Sequence, residues 1–171
     1  MKIALIGANG QLWTDIYTYF KEKGLEVVGL TIEDINVCNI NACSEVLPEI
    51  NPDLIINTAA FHKVDLCEDE VMSSFSVNAL GVKNLAKICL GLDIPLIHFS
   101  TDYVFDGNKD TPYTEEDYPT PISSYGISKL AGEHIVKYML NKYYLVRLCG
   151  LYGHTGSMGK GSNFVKLMIE L

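Results

Sequence analysis

The sequence predicts an α/β chain: a parallel sheet wound in both directions, with helices on both faces. Three observations carry this. Short apolar runs alternate with segments of helical period along the chain. Those runs are continuous rather than alternating apolar and polar, as strands buried on both faces require. The first of them leads directly into two glycines three apart and then a helical segment.

Taken in order, Lys2 to Ile6 is a buried strand closed by Gly7. Gln11 to Lys23 carries Leu12, Ile16, Tyr19 and Phe20 at helical spacing, with Gly24 as its stop. Glu26 to Leu30 is a second strand, and Asn36-Val37-Cys38 is a candidate short third one. Asn41 to Ile50 predicts a helix ended by Asn51-Pro52, followed by a strand over Leu54 to Asn57. Val71 to Leu90 predicts the longest helix, with Phe75, Ala79, Val82, Ala86 and Cys89 on one stripe. Pro95 to Ser100 is a strand, and residues 106–122 form a loop rich in Asp, Pro, Thr and Gly. Ser124 to Leu140 is a helix and Tyr143 to Leu148 a strand, and a further helix begins near Asn163.

The bulk properties narrow the function. The 171 residues are 48% hydrophobic and 20% charged, enough for one domain with a core. A net charge of −8 argues against nucleic acid or an anionic membrane as partner, and no run is long enough to span a bilayer. The N-terminus lacks the pattern of a signal peptide. Five cysteines without a Cys-x-x-Cys pair read as reduced thiols of a cytoplasmic protein. The four histidines show no metal-ligand spacing.

Two motifs carry chemistry. Gly7-Ala8-Asn9-Gly10-Gln11-Leu12 lies between a strand and a helix, where glycines let the backbone approach a pyrophosphate at the helix N-terminus. This predicts a Rossmann-type domain. The usual third glycine is here Trp13, whose indole must push the helix away from the sheet, swing into the cofactor space, or sit on the outer face. Glu33 and Asp34 follow the second strand, but neither is at its end, and the only arginine is the distant Arg147, so the choice between NADH and NADPH stays open. The second motif is Tyr125 with Lys129, four apart and on one helical face. An ammonium near a phenol favours the phenolate, which predicts a lowered tyrosine pKa. Thr101, at the end of a strand, could hydrogen-bond the same reacting oxygen.

These motifs, with Thr58-Ala59-Ala60-Phe61-His62-Lys63-Val64-Asp65, Val77-Asn78-Ala79, Ser100 to Phe105, and Tyr125 to Glu133, resemble the extended short-chain dehydrogenase/reductase family, and within it the dTDP-4-dehydrorhamnose reductases. The resemblance runs from Met1 to about Val165. It implies NADPH- or NADH-dependent reduction of the 4-keto group of a nucleotide-linked 6-deoxyhexose. Tyr125 would be the general acid, Lys129 would lower its pKa and hold the nicotinamide ribose, and Thr101 would bond the keto oxygen with Asp102 on the substrate side. Gly7, Gly10, Gln11 and Leu12 would meet the cofactor phosphates, Asn36 and Val37 the adenine, and Ala59, Ala60 and Phe61 the cofactor's far side. Tyr103 stands where the family's dehydratases have a glutamate, which favours plain reduction. Gly150 stands where the reductases often carry a substrate-side tryptophan. The family continues well past this endpoint, so residues 1–171 read as a dinucleotide-binding domain with the substrate lobe largely absent, a homo-oligomer being possible. The rival reading is a non-catalytic nucleotide-binding subunit, like the partner of methionine adenosyltransferase.

Overall fold

The computed structural model describes residues 1–153, together with Val165, Met168 and Ile169, which are helical. The helix expected from Asn163 otherwise lies outside the described residues. Five parallel strands form one sheet: β1 (Lys2–Ile6), β2 (Glu26–Leu30), β3 (Leu54–Asn57), β4 (Leu96–Thr101) and β5 (Tyr143–Leu148), in the order β2-β1-β3-β4-β5. This is the Rossmann-type arrangement that the alternating pattern predicts. The chain runs outward from β1 to β2 and then returns to place β3 on the other side of β1. That reversal opens a crevice at the strands' C-terminal ends.

Among the described residues, helix α1 (Gln11–Glu22) covers one face, packing Trp13, Ile16, Tyr17 and Phe20 on Ile3, Leu5, Val27 and Ile56. Its C-terminus closes at Gly24, whose φ of +72° is open to glycine at little cost. The other face is the main core. There α2 (Ile40–Ile50) contributes Cys43 and Leu47, α5 (Val82–Leu92) contributes Leu85, Ala86 and Cys89, and α6 (Ser124–Met139) contributes Val136. Among the described residues, the α1 face is thinly covered over β4 and β5. Ile97 and Phe99 are half-buried there, and Tyr144, the register partner of Ile97, is 65% exposed.

Three expectations need correction. Asn36-Val37-Cys38 is a turn, not a strand. The Asn36 side chain accepts from the Cys38 amide, its carbonyl accepts from Asn39, and Asn39 caps α2, so the backbone is spent on local bonds. A short helix, α3 (Val64–Asp69), precedes the long one and has too few apolar positions to show a period. The long helix itself is α4 (Val71–Phe75), a π-helical turn (Ser76–Gly81) and α5, so the inward stripe shifts at Asn78. Asn78 is fully buried there: it accepts from the Phe61 amide and donates to the Phe61 carbonyl and the Ser128 hydroxyl.

Candidate functional site

The glycine turn forms as its spacing demands. Gly7 has φ +92°, and a Cβ there would lie 2.6 Å from Thr58 Oγ1 and 2.7 Å from the Ala59 nitrogen. Only glycine lets this turn pass so close to the loop after β3. The Gly10 amide donates to the Gly7 carbonyl, and α1 then begins with no side-chain cap. Its first backbone N–H groups are therefore available to an anion at the crevice floor. The Gln11 side chain donates to the Leu151 carbonyl at 3.0 Å, so what Gln11 offers an anion is its backbone.

One continuous cleft is lined by Gly7 to Trp13, by Asn36 and Val37, by Ala59 to Phe61, and by Thr101, Asp102, Tyr125 and Lys129. Every residue singled out from the sequence for cofactor, proton transfer or substrate borders this space. Gly150 borders it too, and a Cβ added there would meet nothing within 4 Å, so the missing tryptophan leaves open room. These features fit a dinucleotide: a glycine cradle that a Cβ would fill, an uncapped helix start, and a lysine and tyrosine at the far end.

Trp13 sits between the helix and the sheet and also borders the cleft. Its indole lies between α1 and β2, over Gly29, where a Cβ would sit 2.4 Å from the ring. The ring N–H donates to the Leu5 carbonyl at 3.1 Å, and the ring stacks on Tyr17 at 4.6 Å. A large residue on the helix is matched by a missing side chain on the strand. None of the residues of α1 is fully buried.

The proton-transfer group differs from expectation in one respect. Tyr125 sits on the first turn of α6, its ring meeting Tyr103 edge-on at 5.6 Å. Burial pushes its pKa up to about 12, while the Thr101 hydroxyl pulls the opposite way. The lowering expected from Lys129 is absent, because the Lys129 ammonium donates to the Phe99 carbonyl at 2.6 Å. Burial in turn lowers Lys129 to about 8, with Glu133 opposing the shift. The Thr101 hydroxyl donates to Asp102 and accepts from the Tyr103 amide.

Several supporting residues escaped the sequence reading. Glu68 on α3 accepts from both the amide and the hydroxyl of Ser124, at 2.8 and 2.7 Å, and so anchors the residue before Tyr125. Glu133 is fully buried and pairs with Arg147 through two bonds of 2.8 and 2.7 Å, joining α6 to β5. Burial raises the Glu133 carboxyl, but the arginine outweighs it and leaves the group below its ordinary range. Two signals pointed that way: Glu133 lies four residues past Lys129, and Arg147 is the only arginine. His98 is buried under Asn57, whose side-chain oxygen accepts from the Ala59 amide, so the loop bordering the cleft rests on a buried polar pair. Burial and the Lys129 charge hold His98 well below its ordinary pKa, and hence neutral.

Among the described residues, no cluster of His, Cys, Asp and Glu suits a metal ion, and no helix is long and apolar enough to cross a membrane. All five cysteines are free, and burial raises Cys43 to about 11 and Cys89 to about 12, which keeps them as thiols.

Comparison with known proteins agrees with this geometry. A dTDP-4-dehydrorhamnose reductase of Sinorhizobium fredii is 37% identical over 171 residues, covering 100% of this chain and 56% of the relative. The spore coat polysaccharide biosynthesis protein SpsK of Bacillus subtilis is 34% identical over 170 residues, covering 99% and 58%. The crystal structure of a dTDP-4-dehydrorhamnose reductase from Clostridium acetobutylicum superposes with a TM-score of 0.92 at 42% identity, covering 99% of this chain and 59% of that one. That of the Bacillus anthracis reductase, in complex with NADP, gives 0.93 at 38% identity, covering 100% and 60%. The chain thus spans a little over half the length of these relatives. The family model described as RmlD substrate binding domain matches residues 1–171, and the chain belongs to that family.

Proposed function

We propose that this chain supplies the cofactor cleft and proton donor of an NAD(P)H-dependent reductase acting on the 4-keto group of dTDP-4-dehydrorhamnose. One observation carries the reading: Thr101, Tyr125 and Lys129 border the same cleft as the glycine turn and the Ala59–Phe61 loop. A proton donor and a phosphate cradle in one cleft are what carbonyl reduction by a dinucleotide needs. The relatives named above as reductases of this sugar nucleotide support the choice of substrate. The cytoplasm is the proposed location and a small nucleotide sugar the proposed partner.

The bound dinucleotide would supply a hydride to the carbonyl carbon. The chain's part is the proton. With its pKa near 12, Tyr125 is protonated at neutral pH and can hand its hydrogen to the carbonyl oxygen as negative charge develops there. Lys129, charged below about pH 8 and bordering the same cleft, would donate to the nicotinamide ribose. Thr101 would turn its hydroxyl from Asp102 to the same oxygen, adding a second donor. The backbone N–H groups at the start of α1 would hold the pyrophosphate. Tyr103, a phenol where elimination would need a carboxylate, keeps the site to reduction.

The direct test is NAD(P)H oxidation with dTDP-4-dehydrorhamnose by the longest natural polypeptide that contains this segment. Sugar-dependent oxidation that depends on Tyr125 is the expected result. Tight cofactor binding with no turnover under any condition would favour the non-catalytic subunit instead.

A further inference from the structure

We propose that the cleft selects NADH over NADPH, because the loop after β2 presents the Glu33 carboxylate to the adenosine ribose, with no lysine or arginine beside it among the described residues. The inference rests on reading the cleft as a dinucleotide site, and it names the cofactor that this site prefers.

The loop's place is set by backbone bonds. The Leu30 carbonyl, the last of β2, accepts from the Gly7 and Ala8 amides, both at 3.0 Å. The residues that follow therefore stand directly beside the glycine turn. Thr31, Ile32 and Glu33 border the cleft there. In such folds this is where the adenosine ribose lies: an acidic side chain bonds its hydroxyls, whereas a 2′-phosphate calls for arginine.

The loop is rigid by construction. Asp34 Oδ2 accepts from the Thr31 amide at 2.8 Å and from its hydroxyl at 2.7 Å. The Thr31 hydroxyl accepts from the Glu33 amide, and the Thr31 carbonyl from the Ile35 amide. These bonds hold the Asp34 carboxyl below its ordinary range, so it is ionised at neutral pH. With Asp34 folded inward, Glu33 is the exposed carboxylate at the cleft edge, and it makes no ion pair among the described residues. It is available to accept from a ribose hydroxyl.

Among the described residues that border this end of the cleft, none compensates a phosphate. Among the described residues bordering the cleft, Lys129 is the only lysine or arginine, and its ammonium is held at the opposite end on the Phe99 carbonyl. Arg147 is committed to Glu133. A 2′-phosphate placed there would face Glu33, with no lysine or arginine among the described residues of that end of the cleft.

The test is calorimetric titration of the protein with NADH and with NADPH at low and high salt, repeated for Glu33→Arg. The substituted position is exposed, so folding is not at stake, and circular dichroism checks it. The expected result is NADH bound about tenfold tighter or more, equivalent to ~1.4 kcal/mol, with the gap narrowing as salt screens the repulsion. Glu33→Arg should bring NADPH level with or ahead of NADH. Equal or tighter NADPH binding by the unaltered protein overturns the proposal and leaves the dinucleotide site standing, as does a Glu33→Arg protein with unchanged NADPH affinity. Failure to bind either cofactor overturns the dinucleotide reading and this inference with it.

Discussion

The Lys129 ammonium lies 2.6 Å from the Phe99 carbonyl oxygen and takes no part in setting the Tyr125 pKa. Lysine and tyrosine share one helical face, as a spacing of four requires. Yet the lysine side chain turns inward to satisfy a backbone acceptor of β4, and the phenol stays protonated. A donor poised with its hydrogen suits reduction, in which the proton is delivered late to a developing alkoxide.

If the proposed reduction is right, replacing Tyr125 by Phe in the longest natural polypeptide that contains this segment should cut turnover by roughly 10²–10⁴-fold, the usual weight of general acid catalysis. Affinity for the cofactor and the sugar nucleotide should stay nearly unchanged. Steady-state kinetics together with equilibrium binding check this, and near-normal turnover by the Phe variant would remove Tyr125 from its role.

Lys129 makes a prediction about pH and stability. Its folded pKa is about 8 against an ordinary value of 10.5. Below pH 8 the folded and unfolded chains both hold the proton, and the full cost of burying the charge applies. Between about 8 and 10.5 the folded chain sheds the proton first, and that cost fades. Denaturation midpoints of the parent should therefore rise relative to those of Lys129→Met across this window. A difference that stays flat with pH would show that Lys129 is not depressed.

Trp13 and Gly29 should behave as a coupled pair. Trp13→Gly leaves a void between α1 and β2 and should cost on the order of a few kcal/mol. Gly29→Val forces a side chain into the indole, since even a Cβ would lie 2.4 Å from the ring. The double substitution should be less destabilised than the two costs added together. Chemical denaturation of the four proteins measures the coupling, and strict additivity would contradict the packing described. Titrating the same proteins with NADH and NADPH also tests whether glycine at position 13 tightens dinucleotide binding, as the sequence motif implies.

The sheet face that the described residues cover only thinly predicts self-association. Ile97, Phe99 and the exposed Tyr144 lie side by side on β4 and β5, and β5 is an edge strand. Light scattering should show the 171-residue chain growing in mass with concentration, and Tyr144→Lys should reduce that growth. A monomer at all concentrations would show that this face needs no partner.

Breaking the Glu133–Arg147 pair should cost about 3–5 kcal/mol, because Glu133→Gln leaves a guanidinium without its carboxylate beside a buried neutral amide. Thermal unfolding of Glu133→Gln reads this directly. A loss under 1 kcal/mol would mean that the pair is dispensable to the joint between α6 and β5.

The side chains that border the cleft were legible only through the family that the motifs resemble; the alternation of strand and helix, the parallel sheet and the glycine turn were determined by the sequence itself. These follow from local chemistry: continuous apolar runs, a helical period, and glycines where a backbone must come close. The tertiary structure decided what depends on groups distant in the chain. Asn36 to Cys38 turn instead of extending because Asn36 and Asn39 take up the local backbone donors. The long apolar stripe breaks at Asn78 because its buried amide must meet Phe61 on one side and Ser128 on the other. Trp13 is accommodated because Gly29, on another strand, lacks a side chain. Lys129 turns away from Tyr125 because a carbonyl of β4 lies within its reach. In each case a buried polar group or a bulky ring took the partner that packing placed beside it, and sequence spacing does not encode that distance.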